Sequence, residues 1–110
     1  MNITLLPLEP DALCHRFFIR ADGQHAGGIT IHSVQGDRFS YGIAITPSLR
    51  RKGIAGHALS LLFERMKSLG FSQVIVQIAP ENAASLALHR ALGFAESGRD
   101  VGAVIMKKSL

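Results

Sequence analysis

Apolar and polar positions along the chain change their period several times, and each change marks an element. Residues 2–7 alternate weakly and predict a short strand, after which Pro7 and Pro10 flank a turn. Residues 11–15 have room for one helical turn at most. The stretch 17–20 (FFIR), a turn at Ala21-Asp22-Gly23 and the stretch 24–33 (QHAGGITIHS) read as a hairpin. A second turn at Gln35-Gly36-Asp37 leads into a strand over 39–46, and Pro47 removes a backbone donor just past it. The period then lengthens. From Ile54 onward, Ala55, Ala58, Leu59, Leu62, Met66 and Leu69 recur at three-four spacing, predicting an amphipathic helix that Gly70 ends in a left-handed conformation. Residues 73–79 (QVIVQIA) are apolar almost throughout, the pattern of a strand covered on both faces. Asn82 is placed as an N-cap for a second helix over 83–92, with Ala84, Leu88 and Ala91 on one stripe and Gly93 as its stop. Leu-Gly-Phe closes both helices, at 69–71 and 92–94, and two further strands fit near 94–99 and 102–108.

The predicted order is therefore β-β-β-β-α-β-α-β-β. The expected fold is α+β, a sandwich-like arrangement of helices on a mixed, mostly antiparallel sheet with one central β-α-β crossover. That crossover should be right-handed and supply a parallel pair. The loop 47–53 then lies at the carboxyl end of its strand, where open α/β sheets bind ligands.

With 110 residues, 47% hydrophobic and 18% charged, the chain reads as one globular domain spanning 1–110. No apolar run approaches the roughly 18 residues of a membrane span, and the N-terminus lacks the basic region and cleavage site of a signal peptide. Cys14 is the only cysteine, which excludes an intrachain disulfide, fits a reducing, cytoplasmic setting and makes packing a better role for it than nucleophilic catalysis. The histidines His15, His25, His32, His57 and His89 have no metal-ligand spacing, so no metal is expected. The formal net charge is +4, and Arg50, Arg51 and Lys52 concentrate three of the cations beside a glycine turn.

That concentration is the chain's most informative feature. The start of a helix already carries partial positive charge, so cations there cost stability unless something negative offsets them. Gly53 and Gly56 would let a ligand approach first-turn amides that lack helical partners. Unpaired amides plus the dipole form an anion site, and a phosphate-bearing ligand accounts for the glycines and the cations together. The stretch matches neither the P-loop nor the dinucleotide pattern. It reads R-x-x-G-x-A at Arg50, Gly53 and Ala55, and so resembles the pyrophosphate signature [QR]-x-x-G-x-[GA] of the GNAT superfamily of N-acetyltransferases. Residues 82–94 (NAASLALHRALGF) resemble that family's second signature, N-x-x-[AS]-x-x-L-[YH]-x-x-x-G-F, at the family's own separation of one helix and one strand.

The resemblance implies acetyl-CoA as cosubstrate and transfer of its acyl group to a primary amine, on a small molecule or on a protein lysine or N-terminus. The cosubstrate would lie where the fourth and fifth strands, 39–46 and 73–79, splay apart. The backbone of Ile43, Ala44 and Ile45 would pair with its pantetheine arm. The amide of Ile45 would polarise the thioester carbonyl. Arg50, Arg51, Lys52, Gly53, Ile54, Ala55 and Gly56 would surround the pyrophosphate, with Asn82, Ser85 and His89 on the other side. A homodimer is compatible with it, since the last strands of small relatives often exchange or pair.

The chain departs from the family in three ways. His89 stands where many members carry an acid Tyr, and is either a proton donor to the leaving thiolate or a plain helix-surface residue. Gln77 stands where many protein-acetylating members carry Glu, which leaves Tyr41 and His32 as weak candidates for the base. Only residues 8–16 separate the first two strands, where the family usually has two helices walling the amine site, so that side should be open. The alternative to catalysis is an acyl-CoA-binding module that turns over poorly. A nucleic-acid binder using the basic turn is disfavoured, because residues 47–57 contain no aromatic residue to stack on a base.

Overall fold

The computed structural model describes residues 1–110. Its elements run β1 (Ile3–Pro7), β2 (Arg16–Ala21), β3 (Gln24–Gln35), β4 (Arg38–Ile45), α1 (Ile54–Ser68), β5 (Gln73–Ile78), α2 (Ala83–Ala91), β6 (Ala95–Asp100) and β7 (Ala103–Ser109). The strands form one seven-stranded sheet in the order β1-β2-β3-β4-β5-β7-β6. All neighbours are antiparallel except β4 and β5, the parallel pair that α1 connects. This is the expected mixed α+β architecture. Residues 8–15 contain no helical turn. They form a linker tied down by the Leu8 amide on the Arg16 carbonyl (2.9 Å) and the Cys14 thiol on the same oxygen (2.8 Å). Cys14 is a buried packing residue.

Turn chemistry sets the hairpins. Asp22 and Gly23 both take positive φ (50° and 82°), the two-residue turn whose twist suits flanking strands. Both helices end alike. Gly70 and Gly93 are left-handed (φ 97° and 96°), the amides of Phe71 and Phe94 reach back to the Met66 and His89 carbonyls, and both phenylalanines enter the core. The repeated Leu-Gly-Phe is thus the sequence trace of two identical helix stops.

Side chains of one sheet face join α1 in a single core that includes Ile3, Phe17, Ile19, Ile29, Phe39, Leu59, Leu62, Met66, Val74 and Met106. The opposite face carries no helix, and there Arg16, Phe18, Arg20, Thr30 and Ala44 are exposed. The expectation that residues 73–79 are covered on both faces is therefore corrected. Val74, Val76 and Ile78 are buried, while Gln73 and Ile75 are half-exposed and Gln77 is exposed. The sequence looks doubly buried because Ile75 is apolar on the open face.

The helix stripes also shift. On α1 the buried residues are Ile54, Ala58, Leu59, Leu62, Phe63 and Met66. Ala55 is only partly covered because the first turn opens onto a groove, and Leu69 is exposed because it caps the helix. On α2 the buried residue is His89, not the expected Ala84, Leu88 and Ala91 stripe. Ala84 and Leu88 face the same groove.

Candidate functional site

Strands β4 and β5 pair only through Arg38 with Gln73 and Phe39 with Val74. Beyond those residues they splay. The Thr46 amide donates to the Ala26 carbonyl of β3 (2.8 Å), so strand alternation turns the amides of Thr46 and Ala44 toward β3 and those of Ile43 and Ile45 toward the gap. Ile43 and Ile45 thus present unpaired amides along this strand edge. Ala44, expected on the same edge, borders the groove but turns its amide toward β3 and its side chain toward the helix-free face.

On the helix side of the gap lies a groove of about 600 Å³. Ile43–Ile45 form one wall, Arg50, Arg51 and Gly53–Gly56 the floor, and Ala84, Ser85, Leu88 and His89 of α2 the other wall. The floor leaves backbone donors free. Gly53 is the N-cap of α1 in a left-handed conformation (φ 76°), without a side-chain cap and without an acidic residue in the first turn. Arg51 is left-handed too (φ 63°), a conformation that costs a non-glycine residue about 1–2 kcal/mol. Together the turns leave the amides of Arg51 through Gly56 without any protein acceptor. A helix start optimised only for stability would carry Ser, Thr or Asp there. Gly56 keeps the floor low, and a Cβ at that position would lie 3.6 Å from Leu88. The Arg50 guanidinium bonds the Ile45 carbonyl (3.3 Å), bracing the loop against β4.

Lys52 and Asn82, expected at the same ligand, do not line this groove. Lys52 points to solvent, and the Asn82 side-chain oxygen is occupied as the cap of α2, accepting from the Ser85 amide (3.2 Å). Leu49, Ala84 and Leu88 do line it, although the sequence reading did not place them there. Leu88 is the fixed Leu of the second motif, which was the available signal.

A second groove, of about 640 Å³, opens on the helix-free face. His32, Ser33, Gln35, Arg38, Ser40, Tyr41, Gly42 and Gln77 are among its lining residues. The two grooves meet at one buried contact. Tyr41 lines the open-face groove, His89 lines the helix-side groove, and the Tyr41 hydroxyl lies 2.7 Å from His89 Nε2. His89 Nδ1 lies 2.7 Å from the Ser85 carbonyl, which can only accept. The proton of a neutral ring is therefore on Nδ1, Nε2 is the acceptor, and Tyr41 is the donor. Contacts with Phe94 (5.0 Å between ring centroids) and between Tyr41 and Phe63 (5.8 Å) fix both rings.

Burial determines the charge of both groups. It pushes the Tyr41 hydroxyl well above the usual phenol range, and it lowers the His89 imidazole, with the Ser85 carbonyl acting weakly the other way. Two expectations change accordingly. His89 is neither a surface residue nor a standing imidazolium acid at neutral pH, and Tyr41 is a protonated donor rather than a ready base. His32 is exposed and lies over Gly42, apart from the Tyr41–His89 contact.

No helix is long and apolar enough to cross a membrane, and no group of His, Cys, Asp and Glu gathers as a metal site.

Comparison with known proteins agrees with this geometry. The mycothiol acetyltransferase of Brachybacterium faecium is 36% identical over 61 residues, which is 56% of this chain and 18% of that protein. The phosphinothricin acetyltransferase of Sinorhizobium meliloti, solved with AcCoA, is 28% identical with a TM-score of 0.74, over 86% of this chain and 60% of that one. The PaiA N-acetyltransferase of Thermoplasma acidophilum, solved with coenzyme A, shares the fold at 19% identity with a TM-score of 0.79, over 86% of this chain and 60% of that one. The chain therefore spans less than a fifth of the curated relative and three fifths of these two solved chains. The model of the Acetyltransferase (GNAT) family matches residues 4–94, and with the splayed β4–β5 pair and the unpaired amides at the start of α1, the chain belongs to the GNAT acetyltransferase family.

Proposed function

We propose that this chain is an N-acetyltransferase domain that takes the acetyl group of acetyl-CoA and gives it to a primary amine. The observation that carries the reading is the run of unpaired amides from Arg51 to Gly56 at the floor of the helix-side groove. They supply donors and helix-dipole potential for a diphosphate, and Arg50 and Arg51 line the same groove. The strand edge with the unpaired amides of Ile43 and Ile45 continues from that floor toward Tyr41 and suits an extended amide-bearing arm.

Bound acetyl-CoA supplies an acyl group as a thioester. The Ile45 amide, turned into the gap, is the donor in this chain suited to the developing oxyanion. The attacking amine must lose a proton and the departing sulfur must gain one. The Tyr41–His89 pair can carry that proton. Tyr41 oxygen accepts the proton from nitrogen as its own moves to His89 Nε2. The pair then returns it through Tyr41 to sulfur, ending as it began. Tyr41 meets the reacting atoms, and His89 positions it and holds the proton in transit.

Replacing Gly53 by Glu tests the reading. A Cβ at Gly53 meets nothing within 4 Å, so the penalty to folding is the left-handed backbone, about 1–2 kcal/mol. Gly70→Ala carries a comparable backbone penalty far from the groove and serves as the control. Gly53→Glu should lose coenzyme A binding in calorimetry while Gly70→Ala keeps it; equal binding by both would refute the phosphate placement. A second reading, a coenzyme A-binding module with little turnover, is favoured by the absence of any carboxylate lining either groove. Coenzyme A binding without thiol release from acetyl-CoA across a panel of amines would select it.

A further inference from the structure

The open-face groove has a charge pattern that the activity alone does not require. Its lining holds one charged side chain, Arg38, together with His32, Ser33, Gln35, Ser40 and Gln77, and no carboxylate. Arg38 stands where β4 and β5 are still paired, at the closed end of the splay. Its guanidinium makes no hydrogen bond or ion pair with the protein. Lys107 lies across from Ile75 on the neighbouring strand β7, on the same face, and adds a second cation to that end. The nearest acidic residue in sequence, Asp37, is engaged by the Ser72 hydroxyl. On the outer strand β6, Glu96 is paired with Arg99 (3.1 Å), and Asp100 sits at the far end of the strand.

We infer that the acceptor is an amine that carries an anionic group at its other end, held by Arg38 while the amine lies beside Tyr41. The inference rests on the acetyl-transfer reading and specifies its substrate. Tyr41 follows Arg38 by three positions on β4, about 10 Å, and the odd step sends the two side chains to opposite faces, so an acceptor held at Arg38 reaches Tyr41 through the splay that opens between β4 and β5 beyond Phe39. The anion must therefore stand several bonds from the amine, farther than in a simple α-amino acid. A guanidinium binds a carboxylate or phosphate through paired donors. A groove with cations and no carboxylate also disfavours an ammonium ion, shifting the bound amine toward its neutral, nucleophilic form. That second effect supplies part of what Gln77, which has no basic function, cannot.

The test compares 6-aminohexanoate with 6-aminohexanamide, which share the amine and spacer and differ in the negative charge. Thiol release from acetyl-CoA is measured for the native chain and for Arg38→Gln. Arg38 is exposed, so its replacement should leave the fold intact. The native chain should prefer the acid by about tenfold in kcat/KM, mainly through KM, and the preference should shrink as salt is added. Arg38→Gln should remove the preference by slowing the acid alone. Equal rates for acid and amide in the native chain would overturn the inference while leaving acetyl transfer standing. Absence of thiol release with every amine would refute transfer instead. In that case amide chemical shifts at Ser40–Gly42 decide the inference: 6-aminohexanoate should move them in the native chain and not in Arg38→Gln, and shifts that are absent or independent of Arg38 would overturn it.

Discussion

Tyr41→Phe isolates the contact that joins the two grooves. The substitution removes one hydroxyl and keeps the ring, so the contacts with Phe39 (6.5 Å) and Phe63 (5.8 Å) survive and no cavity opens. His89 is only 3% exposed and its Nδ1 proton is committed to the Ser85 carbonyl, so Nε2 loses its single donor and water does not readily replace it. A buried acceptor left unpaired costs about 1–3 kcal/mol. For 110 residues the unfolding entropy is roughly 0.23 kcal/mol/K, so each kcal/mol is worth about 4 °C. Tyr41→Phe should therefore melt about 4–13 °C below the native chain by calorimetry. A thermodynamic cycle with His89→Leu should return a coupling near 1 kcal/mol or more, since the apolar partner no longer needs the hydroxyl. In the transfer assay kcat should fall with little change in KM for acetyl-CoA. A melting point within 1 °C of native, or additive single and double variants, would show that Tyr41 does not satisfy His89 and would remove the basis for the proton path.

Other consequences are open to measurement. Because burial lowers the His89 pKa below its usual 6.5, the unfolded chain binds more protons than the folded one just beneath that pH. Stability should be complete above pH 6.5 and fall as the solution is acidified, by at most about 1.4 kcal/mol per pH unit from this group, and denaturant titrations of His89→Gln should show a flatter profile. At the turn between β6 and β7, Val101 takes a positive φ (43°) at 99% exposure, an unfavourable conformation for a β-branched residue. Val101→Asn should stabilise the chain by about 1 kcal/mol, raising the melting point by about 4 °C, because Asn tolerates that conformation; an unchanged melting point would refute the strain.

Local chemistry wrote much of this protein openly. The hairpin around the Ala21-Asp22-Gly23 turn, the three-four spacing after Ile54, the two Leu-Gly-Phe stops and the glycine turn at 50–56 each depend on neighbours within a few residues. Backbone geometry and hydrogen bonding act at that range, so the element order, the parallel pair and the glycine turn that opens α1 could be read from the sequence alone. Coverage of a sheet face is not local. Ile75 is apolar yet half-exposed because no helix packs on that side, and nothing in QVIVQI reports the missing layer. The role of His89 was hidden for the same reason. Its partner Tyr41 lies 48 positions away, and only the splay of β4 from β5, with α2 laid beside it, buries the two together. The protonation states follow from that burial. The chain's own order thus determined where a helix begins with unpaired amides, and tertiary packing decided which side chains share a hydrogen bond and which charge faces the open groove, because desolvation and proximity exist only once the layers are assembled.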